Sequence, residues 1–256
     1  MNDDNHSATP APDDQALIGT AGWSLPKAEH GHFPGTGSHL ERYAAVFHAV
    51  EINSSFHRSH KRAIWARWRD AVPDRFRFSV KMPKTITHTA RLEGAEALVA
   101  TFLEEASNLG SKLACILVQL PPSLGFDPDV AARFFRQLRD RTSVAVACEP
   151  RHASWFAEEA NALLASAGIA RVAADPARVP GAAEPGGSRS FSYFRLHGSP
   201  RIYYSAYSDE FVAQLARRVA AEQRENRTAW CIFDNTTLGA ATRNALDLAD
   251  AGAASR

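Results

Sequence analysis

Glu51, Glu149 and Asp175 are carboxylates that each stand at the end of a short apolar run, and Lys81, Arg195 and His197 stand at the ends of others. Carboxylates and imidazole are the groups that move protons near neutral pH. Lys and Arg side chains hold phosphate or carboxylate through charge-assisted hydrogen bonds. Side chains alternate between the two faces of a strand. In Val50-Glu51-Ile52-Asn53, Val50 and Ile52 therefore share one face, and Glu51 and Asn53 the other. In Phe76-Arg77-Phe78-Ser79-Val80-Lys81, the aromatics and Val80 face away from Arg77, Ser79 and Lys81. Arg171 shares a face with Asp175, and Tyr193 shares one with Arg195 and His197. Helices are expected to cover the apolar faces, so the polar faces point inward, where a charge needs a partner or a ligand.

Three kinds of chemistry fit these residues. In the first, Glu51, Glu149 and Asp175 transfer protons, and His197 stays neutral beside Arg195 and serves as a base. Lys81, Arg151 and Arg195 then bind or polarise an anionic group. In the second, a divalent metal sits on Glu149, Asp175 and His197, with Glu51 nearby. Lys81, Arg151 and Arg195 oppose it electrostatically, no clustered Cys/His spacing favours zinc, and the expectation is no metal and no cofactor. In the third, Thr236, Thr237 and Gly239 open the last helix and hold an anion at its N-terminus, although plain capping explains the threonines equally. An internal salt-bridge network is the bland alternative, of even weight for any single charged residue. Trp23 and Gln119 fall at strand ends in the same registry. Trp23, Phe56, Trp155, Tyr203, Tyr204 and Tyr207 lie in or near the loops that follow strands. They stack on a ligand or pack a lid, and packing is expected for Trp155. No GxSxG, Walker A or GxGxxG sequence is present.

The elements that must position these groups alternate along the chain. Strands are expected near Leu17–Trp23, Ala49–Asn53, Phe76–Met82, Leu113–Leu120, Val144–Glu149, Ile169–Asp175, Phe191–His197 and Ala229–Asn235. LACILVQL and VAVACE are almost continuously apolar, as strands covered on both faces are. Amphipathic stripes between them read as seven helices, the first opened by a Ser38/Glu41 capping box over Ser38–Phe47. The stretch PARVPGAAEPGGSRS replaces a sixth helix with a loop. The fold expected is α/β, a single TIM-type (β/α)₈ barrel over 17–250, with a disordered N-terminal tail over 1–16 and a C-terminal tail over 251–256. In such barrels the active site sits at the strand C-terminal ends.

The 256 residues are 45% hydrophobic and 22% charged with a net charge of +1, so no global field attracts nucleic acid or an acidic membrane. No apolar run is long enough to span a bilayer, and the first residues lack the apolar stretch of a secretory signal. Cys115, Cys148 and Cys231 are far apart inside apolar runs, as buried reduced thiols are, and a cytoplasmic location is expected.

The runs IGTAGWSLP, FPGTGSHLERYAAVFHAVEINSSFHRSH, FRFSVKMPKTITH, QLPPSLGFD, EPRHASWF, RLHGSPRIYYSAYS and FDNTTLGAATRNALDL resemble the YecE-like family, domain of unknown function 72, from about Ile18 to Leu248. The resemblance implies a TIM-barrel fold and brings no established reaction. Recurrent positions of the family match at Gly22, Trp23, Glu51, Asn53, Phe56, Arg58, Lys81, Pro83, Gln119, Pro121, Glu149, Arg151, His152, Trp155, Asp175, Arg195, His197, Gly198, Tyr207 and Asn235. Asn235 joins the expected binding residues on this ground. His57 stands where the family commonly has Tyr, and Asp234 where it commonly has Asn, which adds a carboxylate. The leading expectation is an enzyme for a small polar or anionic metabolite, such as a sugar or sugar phosphate. A nucleic-acid-processing protein and a non-catalytic ligand sensor or scaffold are the alternatives.

Overall fold

The computed structural model describes residues 16–254; the first fifteen residues of the expected N-terminal tail lie outside them. Ten strands alternate with seven helices. The strands are β1 (Leu17–Thr20), β2 (Ala49–Ile52), β3 (Arg77–Lys81), β4 (Leu113–Gln119), β5 (Ala145–Glu149), β6 (Ile169–Arg171), β7 (Ala173–Asp175), β8 (Gly186–Gly187), β9 (Phe191–Leu196) and β10 (Thr228–Phe233). The helices are α1 (His39–Ala44), α2 (Arg62–Asp70), α3 (Glu96–Ala106), α4 (Pro128–Arg139), α5 (Glu158–Ser166), α6 (Asp209–Arg224) and α7 (Ala240–Ala254). One sheet runs β2-β3-β4-β5-β6-β8 and the other β1-β10-β9-β7, all parallel except β8. This is a mixed α/β fold with parallel sheets.

The two sheets meet at both ends. At one seam, Ala21 bridges Glu51, and the Gly22 N–H donates to the Glu51 carbonyl at 2.8 Å. The Tyr43 hydroxyl of α1 accepts from the Thr20 N–H at 2.8 Å and donates to the Ala49 carbonyl at 3.0 Å. At the other seam the single strand expected over Ile169–Asp175 is divided at Val172. Its first half pairs with β5 and its second with β9. The segment after it contains no helix, as its Pro/Gly content predicts, and contributes β8 against β6.

Strand alternation divides the apolar residues into two clusters. Val50, Ile52, Phe78, Val80, Ile116, Val118, Phe194 and Phe233 pack under the helices. Ala49, Cys115, Leu117, Ala147, Ala170, Val172, Tyr193, Trp230 and Ile232 form the second, on the opposite face of the strands. The Ser38/Glu41 capping box forms as expected, but α1 ends at Ala44, three residues before Phe47. The helix α7 takes in 251–254, which the sequence reading gives to a tail, and it begins only at Ala240, so Thr236, Thr237 and Gly239 precede it. All three cysteines are buried and unpaired.

The Tyr43 seam leaves no room for a side chain at Gly19. A Cβ there would sit 2.0 Å from the Ala49 carbonyl oxygen and 2.9 Å from the Tyr43 hydroxyl. Gly19→Ala is expected to cost at least about 1–3 kcal/mol, the usual range for overpacking, and to lower the thermal midpoint by several degrees. Gly252→Ala, in the open on α7, is expected to hold or raise it. Equal midpoints for the two variants would show that the seam tolerates the intrusion.

Candidate functional site

The second face of the strands becomes polar at its C-terminal end, and one guanidinium organises it. Arg195 is fully buried on β9. Its Nε donates to Glu51 Oε2 at 3.0 Å and its Nη2 to Glu51 Oε1 at 2.8 Å. Its Nη1 donates to Glu149 Oε2 at 2.9 Å, and Nη2 also meets Asp234 Oδ2 at 3.0 Å. Burial opposes the charge on Arg195, but the carboxylates of Asp234, Glu51 and Glu149 outweigh it and hold the group firmly protonated.

Glu51 lies beneath this arginine with no exposed surface. Besides Arg195, its Oε2 accepts from the Tyr193 hydroxyl at 2.8 Å, which lies 2.9 Å from Ser79 Oγ. Glu149 accepts on Oε1 from Arg151 Nη2 at 3.0 Å and Nε at 3.1 Å. Burial disfavours its charge, yet Arg195, Arg151 and His197 together hold its carboxyl well below the usual range.

His197 lies between two carboxylates, with Nδ1 3.1 Å from Asp234 Oδ2 and Nε2 3.0 Å from Glu149 Oε1. Burial disfavours the imidazolium, but Glu149 and Asp234 outweigh it and raise the pKa. A carboxylate at each ring nitrogen favours the imidazolium and so works against the expected neutral base. Asp234 also accepts from Asn53 Nδ2 at 3.3 Å, and Arg195 and His197 draw its pKa down against burial.

Lys81 points into the same space from β3. Its Nζ lies 4.1 Å from the centre of the Phe56 ring, and no carboxylate among the described residues reaches ion-pair distance. Burial and Arg195 lower its pKa to about 8 against the pull of Glu51, Glu149 and Asp234. Beside this group Glu149, Arg151 and His197 line a small cleft of about 20 Å³, together with Ala174, Arg178 and Tyr203.

Other expected residues stand apart. On 169–175 the residues in the second cluster are Ala170 and Val172, while Ala173 packs under the helices. Asp175 has the parity of Ala173, so it leaves the charged group; it makes no ion pair, and its Oδ1 has no donor. Its separation also breaks up the expected Glu149–Asp175–His197 metal set, and no group of three such side chains suited to a metal occurs among the described residues. Asn235 likewise turns outward, donating to Ser205 O at 2.9 Å and Asn244 Oδ1 at 3.1 Å. Tyr207 is buried, with its hydroxyl accepting from Gly198 N–H and donating to the Asp175 carbonyl and its ring stacked on Phe211. Gln119 is buried and donates to the Leu120 carbonyl. Trp23 is half-buried and meets the Trp68 ring at 5.2 Å. Trp155 is core, donating to the Leu124 carbonyl at 3.0 Å. Sequence reasoning missed Tyr193 and Ser79 as holders of Glu51, although both share its inward parity. It also missed Arg178, which lies in the helix-replacing loop and carries no sequence signal.

These shifts fix a pH dependence. Glu149 and Asp234 have folded pKa values below their unfolded values of about 4. Their contribution to stability is complete above about pH 5 and is lost as pH falls through the folded values. His197 is raised, so its contribution is complete below its unfolded pKa of about 6.5 and fades as pH rises through the higher folded value. Urea unfolding across the pH range is expected to show maximal stability between about pH 5 and 7. Arg195→Met, which leaves three buried carboxylates short of a partner, is expected to lose about 3–5 kcal/mol at neutral pH. A pH-independent unfolding curve would contradict the charge assignments.

The profile of the family described as "Protein of unknown function DUF72" matches residues 17–256. The UPF0759 protein YecE of Escherichia coli K12 is 38% identical over 108 residues, a segment covering 42% of this chain and only 38% of that relative. A solved DUF72 family structure from Thermotoga maritima MSB8 superposes with a TM-score of 0.77 at 25% identity, covering 92% of this chain and 98% of that one. One from Enterococcus faecalis V583 gives 0.78 at 22% identity, covering 93% and 96%. With the family profile spanning all but the first sixteen residues, the chain belongs to the DUF72 family.

Proposed function

We propose that this protein is an enzyme acting on a small anionic metabolite, such as a sugar phosphate or a sugar acid. Its site lies at the C-terminal ends of the strands of a closed (β/α)₈-type barrel. Closure is supported by the Ala21–Glu51 bridge at one seam and by the strand shared between β5 and β9 at the other. Active sites of that architecture lie at this end.

The observation that carries the reading is the charge balance. Three carboxylates, Glu51, Glu149 and Asp234, are paired with Arg195, Arg151 and His197, while Lys81 is a further basic group with no ion pair among the described residues. A pairing network built only for stability has no use for a surplus cation, whereas an anionic ligand completes the balance. Arg151 and Arg178 receive the anionic group at the cleft. Glu149, His197 and Asp234 form the proton-transfer unit, in which the imidazolium donates one N–H to each of two carboxylates. Glu51 is a positioning residue that fixes Arg195. Asn53 Oδ1, which has no donor of its own, accepts a ligand hydroxyl.

Inorganic phosphate and simple carboxylates are expected to raise the thermal midpoint of the wild-type protein. Arg151→Met should weaken that response at least about tenfold in apparent affinity, the effect of losing one charged hydrogen bond of roughly 1.5–3 kcal/mol. Native mass spectrometry of gently purified protein is expected to reveal a co-purified anion. If every anion leaves the midpoint of the wild type unchanged, the anionic-substrate reading is sunk.

A further inference from the structure

The chain has five lysines, and two of them are buried for different reasons. Lys112 is structural: its Nζ donates to the Arg69 carbonyl at 2.8 Å and the Val72 carbonyl at 2.6 Å, and it faces Asp74 at 3.5 Å. Lys81 is equally buried, yet its Nζ makes no hydrogen bond and no ion pair among the described residues. It lies 4.1 Å from the centre of the Phe56 ring. The base of the side chain is fixed, because Ser55 Oγ donates to the Lys81 carbonyl at 2.7 Å. A buried ammonium without hydrogen bonds is costly, and nothing in the packing of β3 requires one at this position. An amine that rests against an aromatic face and makes no hydrogen bond keeps its lone pair free for a reaction once it loses its proton.

We infer that Lys81 is a nucleophilic amine that forms an imine with the carbonyl group of a small anionic aldehyde or keto acid. This deepens the anionic-substrate reading and rests on it. Nζ adds its lone pair to the carbonyl carbon, the C–O π pair moves to oxygen, and one proton passes from nitrogen to that oxygen. Loss of the hydroxyl group with the second amine proton, as water, leaves the C=N bond. No oxidant or reductant is consumed. Lysines are activated for this chemistry by desolvation and by a neighbouring cation, and Lys81 has both. Burial and Arg195 lower its pKa to about 8. Near pH 7 this gives it a free-amine fraction about a hundredfold larger than that of an ordinary lysine. Arg151 and Arg178, in the adjoining cleft, take the anionic end of the same molecule.

The test incubates the whole protein with pyruvate or glyoxylate and sodium cyanoborohydride, which reduces an imine to a stable secondary amine. Intact mass and peptide mapping then locate the adduct. One reduced probe is expected on Lys81, in preference to Lys27, Lys61, Lys84 and Lys112. The adduct should be absent in Lys81→Met and retained in Lys84→Arg, whose lysine is exposed. Anion-induced thermal shifts are recorded on the same samples. Anion binding without an adduct at Lys81, or labelling as heavy in Lys81→Met as in wild type, overturns the imine and leaves the binding reading standing. Neither binding nor adduct overturns both.

Discussion

The burial of one guanidinium governs this structure. Arg195 has no contact with solvent, and an unpaired charge in that position would cost several kcal/mol, a large fraction of a whole domain's net stability. It is acceptable only because carboxylates from β2 and β5 and from the residue following β10 reach it at 2.8 to 3.0 Å. Those groups converge only if the strands keep their register. A slip of one residue would turn each carboxylate toward the helices. Arg195 therefore acts as a specificity device for the sheets as well as a charge in the site, and the polar end of the fold is as constrained as the apolar core.

The same constraint separates the carboxylates by role. Glu51 spends both oxygens on Arg195 and Tyr193 and is sealed from the cleft. Glu149 and Asp234 each give one oxygen to Arg195 and hold His197 between them. Depth thus grades the network, from fully saturated below to partly available at the rim. Lys81 ends that gradient, as a cation that the carboxylates influence through space but do not bind. A purely structural network would be expected to end in matched pairs.

Much of this was legible in the sequence, because the period of a strand is strict. Val50-Glu51-Ile52-Asn53 and the Tyr193, Arg195, His197 set were placed correctly by parity alone, and the helix-free loop followed from its Pro and Gly content. Asp175 failed by the same rule. Its strand has charges at Arg171 and Asp175, and it was natural to turn them inward. Yet Ala170 and Val172, on the opposite parity, belong to the second apolar cluster, so on this strand the small apolar residues share the face of the charged group. Polarity of a residue was a poorer guide than the volume available on each face. The charge state of His197 was not legible either. It depends on Glu149 and Asp234, which lie 48 and 37 residues away along the chain.

Asp234 shows how a single departure can set the electrostatics of the whole group. The family commonly has Asn at this position, and a neutral amide there would leave two carboxylates for the same four cations. His197 would then keep one anionic neighbour instead of two, and the case for its second proton would weaken. With Asp234, a second carboxylate favours the imidazolium, Arg195 gains its third acidic partner, and the excess positive charge of the group is reduced. A carboxylate at this position converts a strongly cationic pocket into one nearly balanced before the ligand arrives.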